Sequence, residues 1–139
     1  MFVFAWSRGR SGSFFGAGGL VGGYYQKAKN KGLVGIKETP NYGVSFEDSP
    51  YIFKNEKGQK AVVKIQMTGS RESDFKEANI KFFGKNDKPG DYTWHHLDDY
   101  NVATNECTLE LVESKAHTAS KAHAGACAQY NEIHGPKYK

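Results

Sequence analysis

The sequence predicts an α+β fold built around a strand–turn–strand–helix unit that has the means to bind a metal ion. Three observations predict it. DYTWHHLDDY and CTLELV, separated by NVATNE, read as two short strands and a turn. The segment ESKAHTASKAHAGACAQYNEIHG that follows is helical in composition, with a break between His123 and Gly125. His95, His96, His117 and His123 all fall inside this unit, and His134 lies beyond the pattern and reads as a surface residue.

The chain of 139 residues fits one domain. Its 9 Phe and 8 Tyr, within 38% hydrophobic residues, can build a modest core, which excludes global disorder. Residues 1–38 read as a Gly-rich, basic leader or linker, and residues 39–139 as the domain. The opening MFVFAWSRGRSGSFFGAGGLVGGYY is broken by SRGRSGS, so it makes a poor signal peptide. No apolar run reaches the ~18 residues of a membrane span, and stable membrane insertion is not expected. FFGAGGLVGGYY reads as a flexible junction, with a membrane-active segment as its rival reading.

From residue 39 the composition changes. TPNYGVSFEDSP carries turn residues around short extended pieces. SPYIFKNEKGQKAVVKIQM reads as a hairpin, with YIF and AVVKIQM as arms and NEKGQ as the turn. SRESDFKEANIKFFG reads as a helix, because Phe75, Ala78, Asn79 and Phe82 recur at helical spacing. Ser73 is its expected N-cap and Gly84 its stop. NDKPGD is a loop. In CTLELV, Leu109 and Leu111 alternate with Thr108 and Glu110. Cys107 and Cys127 form no C-x-x-C pair and read as free, packed thiols.

Charge is unevenly placed around a formal net charge of +4. Residues 1–38 carry Arg8, Arg10, Lys27, Lys29, Lys31 and Lys37 against Glu38. Residues 91–113 carry Asp91, Asp98, Asp99, Glu106, Glu110 and Glu113 and no Lys or Arg. An acidic stretch repels phosphate, so chemistry on a phosphodiester there calls for a bound cation. The lysines of residues 54–88 form either a solvated face or a hold on a nucleic-acid backbone.

Neutral imidazole is a common ligand for borderline cations. A helix packed across the hairpin can bring His95, His117 and His123 to one metal, provided the helix loosens before His123. His96 would then be the general base, since an unperturbed pKa of about 6.5 suits proton removal from water. Each histidine taken alone reads more readily as a surface or hydrogen-bonded residue, but four of the five within 29 residues, in a strand-strand-helix order, weaken that reading. Trp94 reads as a core anchor under the strand. Asp98, Asp99 and Asn101 read as residues that fix the hairpin, with a supporting role at the site open to Asp98. Arg71 either contacts the scissile phosphate or its neighbour, or pairs with Asp74 or a nearby acid.

DYTWHHLDDYN, then CTLELV, then H-x5-H-x-G and AQY together resemble the WHH group of HNH-type nucleases, within the ββα-metal (His-Me finger) superfamily. KIQMTGSRESDFKEAN resembles the segment preceding WHH in such proteins, so the likeness runs over about residues 40–139. It implies a ββα-metal core with an N-terminal β-hairpin and helix. Carried over, His95 is a metal ligand, His96 the base, and His117 and His123 the remaining ligands. The resemblance implies a DNase of little sequence preference that uses one divalent metal, such as Zn, Mg, Mn or Ni. It also implies the C-terminal toxin domain of a larger secreted bacterial polymorphic toxin. Such a domain is delivered into the cytoplasm of a target cell and held inactive in its producer by a cognate immunity protein. Two features depart from the pattern. The middle Asn of HNH has only Asn101 and Asn105 as candidates, and AHAGA stands where Gly-Gly is usual. An RNase on the same fold, a non-catalytic structural-metal module and a membrane-active toxin are the alternatives.

Overall fold

Both expected strands of the histidine unit form, and a third joins them. A computed structural model describes residues 23–120 and 125–139 of the chain. Along it run α1 (Gly23–Asn30), β1 (Lys37–Glu38), β2 (Val44–Ser45), β3 (Val62–Gln66), α2 (Arg71–Phe83), β4 (Tyr92–His96), β5 (Glu106–Glu113), α3 (Ser114–Ala119) and α4 (Ala126–His134). The antiparallel main sheet has the order β3-β5-β4, so β4 lies at an edge. β1 and β2 make a separate two-residue pairing. The β4–β5–α3 run is the expected ββα unit, with α3 starting one residue after β5 ends.

Register explains the layers. Val63 pairs with Leu109 and Ile65 with Cys107, while Trp94 pairs with Leu111 and His96 with Leu109. Directly paired residues share a face, so these side chains point one way. They form a core with Ala78 of α2, Ala126 and Cys127 of α4, and Tyr138. On the opposite face, Val112 packs with Val44, Phe46, Ile52, Ala116 and the N-terminal Ala28, Leu33 and Ile36. The sheet is therefore covered on both sides. The described part of the expected leader, residues 23–38, is packed against this second core; residues 1–22, including most of the Gly-rich stretch, lie outside the described residues. No helix among the described residues is long and apolar enough to cross a membrane.

Two local expectations need correction. The N-cap of α2 is Ser70, whose hydroxyl accepts from the Ser73 amide, so the helix starts earlier than Ser73. Both serines offer capping chemistry, and the extended backbone at Ser70 decides between them. Gly84 ends the helix in a left-handed conformation at φ 79°, as expected. Secondly, the first arm of the expected hairpin is no regular strand. Ile52 bridges to Val112 and Lys54 to Lys60, because the backbone of Phe53 is shared between Leu111 and Ala61.

Leu109 is fully buried at the centre of the middle strand. Leu109→Ala should cost about 2–5 kcal/mol through lost burial and an unfilled cavity. Urea unfolding measures it, and a loss below about 1 kcal/mol would show that the sheet is not packed as described.

Candidate active site

β4 is pleated, so His95 and His96 leave the strand on opposite faces. Each ring enters a different cluster.

His95 is 1% exposed and lies on the face of the second core. Its Nε2–H donates to the Val44 carbonyl at 2.8 Å, since a carbonyl can only accept. The proton on Nε2 places the imidazole lone pair on Nδ1. The His117 ring, on α3, stands edge-on to the His95 ring at 5.3 Å between centroids. Phe46 closes another side of His95, also at 5.3 Å. Glu110 is the cross-strand partner of His95 and therefore shares its face. It is fully buried, and accepts from the Phe46 amide and the Ser45 hydroxyl, each at 2.7 Å. Burial pushes its carboxyl up to about 7, against those two hydrogen bonds, which pull it down.

The expected metal ligands divide in two groups. His95 and His117 are brought together; His123 lies outside the described residues. Among the described residues, no three His, Cys, Asp or Glu side chains form a group suited to a metal ion. The donor chemistry of the pair nevertheless fits one. A backbone carbonyl holding the far ring N–H is a usual support for a ligating imidazole, and Val44 supplies it. Gly125 packs where a Cβ would stand 3.0 Å from the His96 carbonyl, and the Ala126 amide donates to Leu97 at 2.7 Å. These contacts tie the start of α4 to the end of β4.

His96 is 8% exposed on the other face. Its Nε2 lies 2.9 Å from Oδ2 of Asp74, a fully buried residue of α2. The Tyr138 hydroxyl donates to the same oxygen at 2.7 Å. Thr68 donates to Oδ1 from its amide at 3.0 Å and from its hydroxyl at 2.7 Å. Burial alone would push the Asp74 carboxyl up, but the bonds from His96, Tyr138 and Thr68 outweigh it and hold it below the usual range. The ring of Phe75 flanks His96 at 5.6 Å and that of Tyr138 at 6.1 Å.

The remaining expectations fall into place around these clusters. Trp94 is buried, and its indole N–H donates to Asn79 at 2.7 Å, anchoring β4 to α2. Asp98 is buried and accepts from the Thr39 hydroxyl and the Gly43 amide, so it fastens the β1–β2 turn to the end of β4. Asp99 accepts from Thr108, and the Asn101 side chain accepts from the Ala103 amide inside the turn. His134 is exposed and bonds the Tyr100 hydroxyl. Both cysteines are free and buried. Arg71 does not pair with Asp74, whose oxygens are taken by Thr68, His96 and Tyr138. It donates to the Lys139 carbonyl and lies over the Tyr138 ring.

Residues 84–132 match the WHH family model, described as a nuclease of the HNH/ENDO VII superfamily with conserved WHH. This segment is similar to a WHH nuclease domain. The match spans β4, β5, α3 and most of α4, and so contains the ββα unit. No curated protein and no solved structure matches the chain.

The WHH segment does not stand alone. Val44, Phe46, Asp74 and Tyr138 all lie outside residues 84–132, yet they contact its polar side chains: Val44 meets His95, Phe46 meets Glu110, Asp74 meets His96 and the Tyr138 amide meets Asn131. Nothing in the sequence marks Asp74 as a site residue, and Glu110 reads as the polar position of an alternating strand. The cross-strand pairing of Glu110 with His95 was the available signal, and it needs a register to be seen.

Glu110 makes a pH prediction. Its folded pKa is raised, so the folded state holds a proton that the unfolded chain releases from about pH 4.5. Stability should therefore fall as pH rises through the window from 4.5 to about 7, and stay level above it. The total is about 3 kcal/mol. Glu110→Gln keeps an acceptor for Phe46 and should remove that fall relative to wild type. Parallel pH profiles of the two proteins across the window would refute the raised carboxyl.

Proposed function

We propose that the protein is a metal-dependent endonuclease that hydrolyses DNA phosphodiester bonds with little sequence preference. The observation that carries it is the buried His95 facing His117 inside the WHH nuclease segment, with the far nitrogen of His95 fixed by a carbonyl. His95 and His117, with His123, would hold one divalent ion of the Zn, Mg, Mn or Ni kind. Such an ion neutralises phosphate charge and favours the departing oxygen. The acidic run of residues 91–113 supports that need, because bare carboxylates would repel a phosphate.

His96 removes the proton from the attacking water. β4 is an edge strand, and its two histidines leave it on opposite faces. Trp94 and the Asn79 bond hold the strand that carries both. Arg71, which lies over the Tyr138 ring, contacts the scissile phosphate or its neighbour in this reading.

The biological setting is proposed on the resemblance to the WHH group. The domain serves as a toxin in competition between bacteria, as part of a larger secreted protein. It acts in the cytoplasm of the target cell, and a cognate immunity protein blocks it in the producer.

The test is nicking of supercoiled plasmid after EDTA treatment, with Mg, Mn, Ni and Zn restored singly. Cleavage should require added metal. His96→Ala should lower the rate at least about 100-fold while leaving the circular dichroism spectrum intact. Metal-independent cleavage, or full activity in His96→Ala, would remove the mechanism. Cleavage of total RNA with plasmid untouched would move the substrate to RNA.

A further inference from the structure

We propose that Asp74 is the positioning residue for His96: it holds the imidazole in the Nε2–H tautomer and leaves Nδ1 as the nitrogen that takes the proton. The inference rests on the reading of His96 as the base. Asp74 lies ten residues before the matched segment, so the family model does not reach it.

The geometry restricts what Asp74 can do. An ionised carboxylate only accepts hydrogen bonds. Four donors converge on its two oxygens: the Thr68 amide and hydroxyl on Oδ1, and His96 Nε2 and the Tyr138 hydroxyl on Oδ2. His96 must therefore contribute its N–H at Nε2. Among the described residues, Nδ1 makes no hydrogen bond that would compete for the other tautomer. Asp74 is in turn held from two directions. It lies in the first turn of α2, and the Tyr138 hydroxyl that donates to it also accepts from the Gly69 amide at 2.9 Å. The tail keeps Tyr138 in place because the Asn131 side chain bonds the amides of Lys137 and Tyr138 and the Tyr138 carbonyl. An aspartate of this kind fixes the orientation of a histidine base and steadies the imidazolium formed in the transition state.

Asp74→Asn tests the role with little change of shape. The Thr68 backbone N–H cannot rotate away, so the new amide oxygen stays on Thr68 and the NH2 faces His96. Nε2 must then accept, and the ring must shift its proton to Nδ1. The nitrogen-15 spectrum of metal-free protein reads that tautomer without relying on activity. Wild type should show Nε2–H, and Asp74→Asn should show Nδ1–H. In plasmid cleavage by the metal-loaded proteins, kcat should fall about 10²- to 10⁴-fold with KM within about 3-fold. Tyr138→Phe keeps the ring and three of the four donors, and should keep the Nε2–H tautomer with kcat within about 10-fold of wild type.

An Nδ1–H tautomer in wild type would overturn the proposal even if Asp74→Asn failed to fold. So would an unchanged tautomer, or unchanged cleavage, in folded Asp74→Asn. If the tautomer shifts as stated but His96→Ala still cleaves fully, Asp74 orients the ring and the reading of His96 as the base is what fails; the positioning role in catalysis falls with it.

Discussion

The pleat of β4 governs the arrangement of the whole site. Consecutive side chains on a strand diverge, so the Trp-His-His run cannot present its two imidazoles to one face. Trp94 and His96 go to the side of α2 and α4, and His95 goes to the side of α3 and the N-terminal segment. Both faces must then be closed by other parts of the chain. On one side α2, α4 and Tyr138 do so, and on the other α1, β2 and α3. The two-sided core follows from placing polar rings on both surfaces of a three-stranded sheet.

Two buried carboxylates show how environment sets charge in such a core. Asp74 and Glu110 are equally inaccessible to water. Asp74 accepts four hydrogen bonds from Thr68, His96 and Tyr138, and its ionised form is favoured despite burial. Glu110 has two donors, Phe46 N–H and the Ser45 hydroxyl, and burial wins. The count of donors decides the sign, because each hydrogen bond offsets part of the desolvation cost. One face of the sheet thus carries a histidine beside a firm anion. The opposite face carries a histidine beside an acid that keeps its proton to near neutrality.

The legible parts of this structure are the local ones. Alternation of Leu109 and Leu111 marked β5, and the spacing of Phe75, Ala78 and Phe82 marked α2. The order of strand, turn, strand and helix could be read because each piece carries its own pattern. What stayed hidden depends on distant contacts. An acid in the first turn of a helix normally faces water and favours the helix dipole, so nothing local distinguishes Asp74. Tyr138 buries it from 64 residues away. Glu110 reads as solvent-facing in an alternating strand until Ser45 and Phe46, 65 and 64 residues earlier, are seen to cap it. The N-terminal segment lacked hydrophobic periodicity, yet Ala28, Leu33 and Ile36 pack singly into the second core.

The clasp between the β1–β2 segment and the WHH unit bears on what can be cut out of this chain. Asp98 holds Thr39 and Gly43, His95 holds Val44, and Glu110 holds Ser45 and Phe46. Excising residues 84–132 as a minimal nuclease would strip three buried polar side chains of these partners, each at a cost of roughly 1–3 kcal/mol. It would also bare the apolar face around Val112. The smallest autonomous unit is therefore larger than the recognisable motif, and its limits are set by where the buried polar groups find their hydrogen bonds. Because those bonds join residues 51 to 65 apart, the site closes only after much of the chain has collapsed, and a nascent fragment ending before Tyr138 lacks the hydroxyl donor to Asp74.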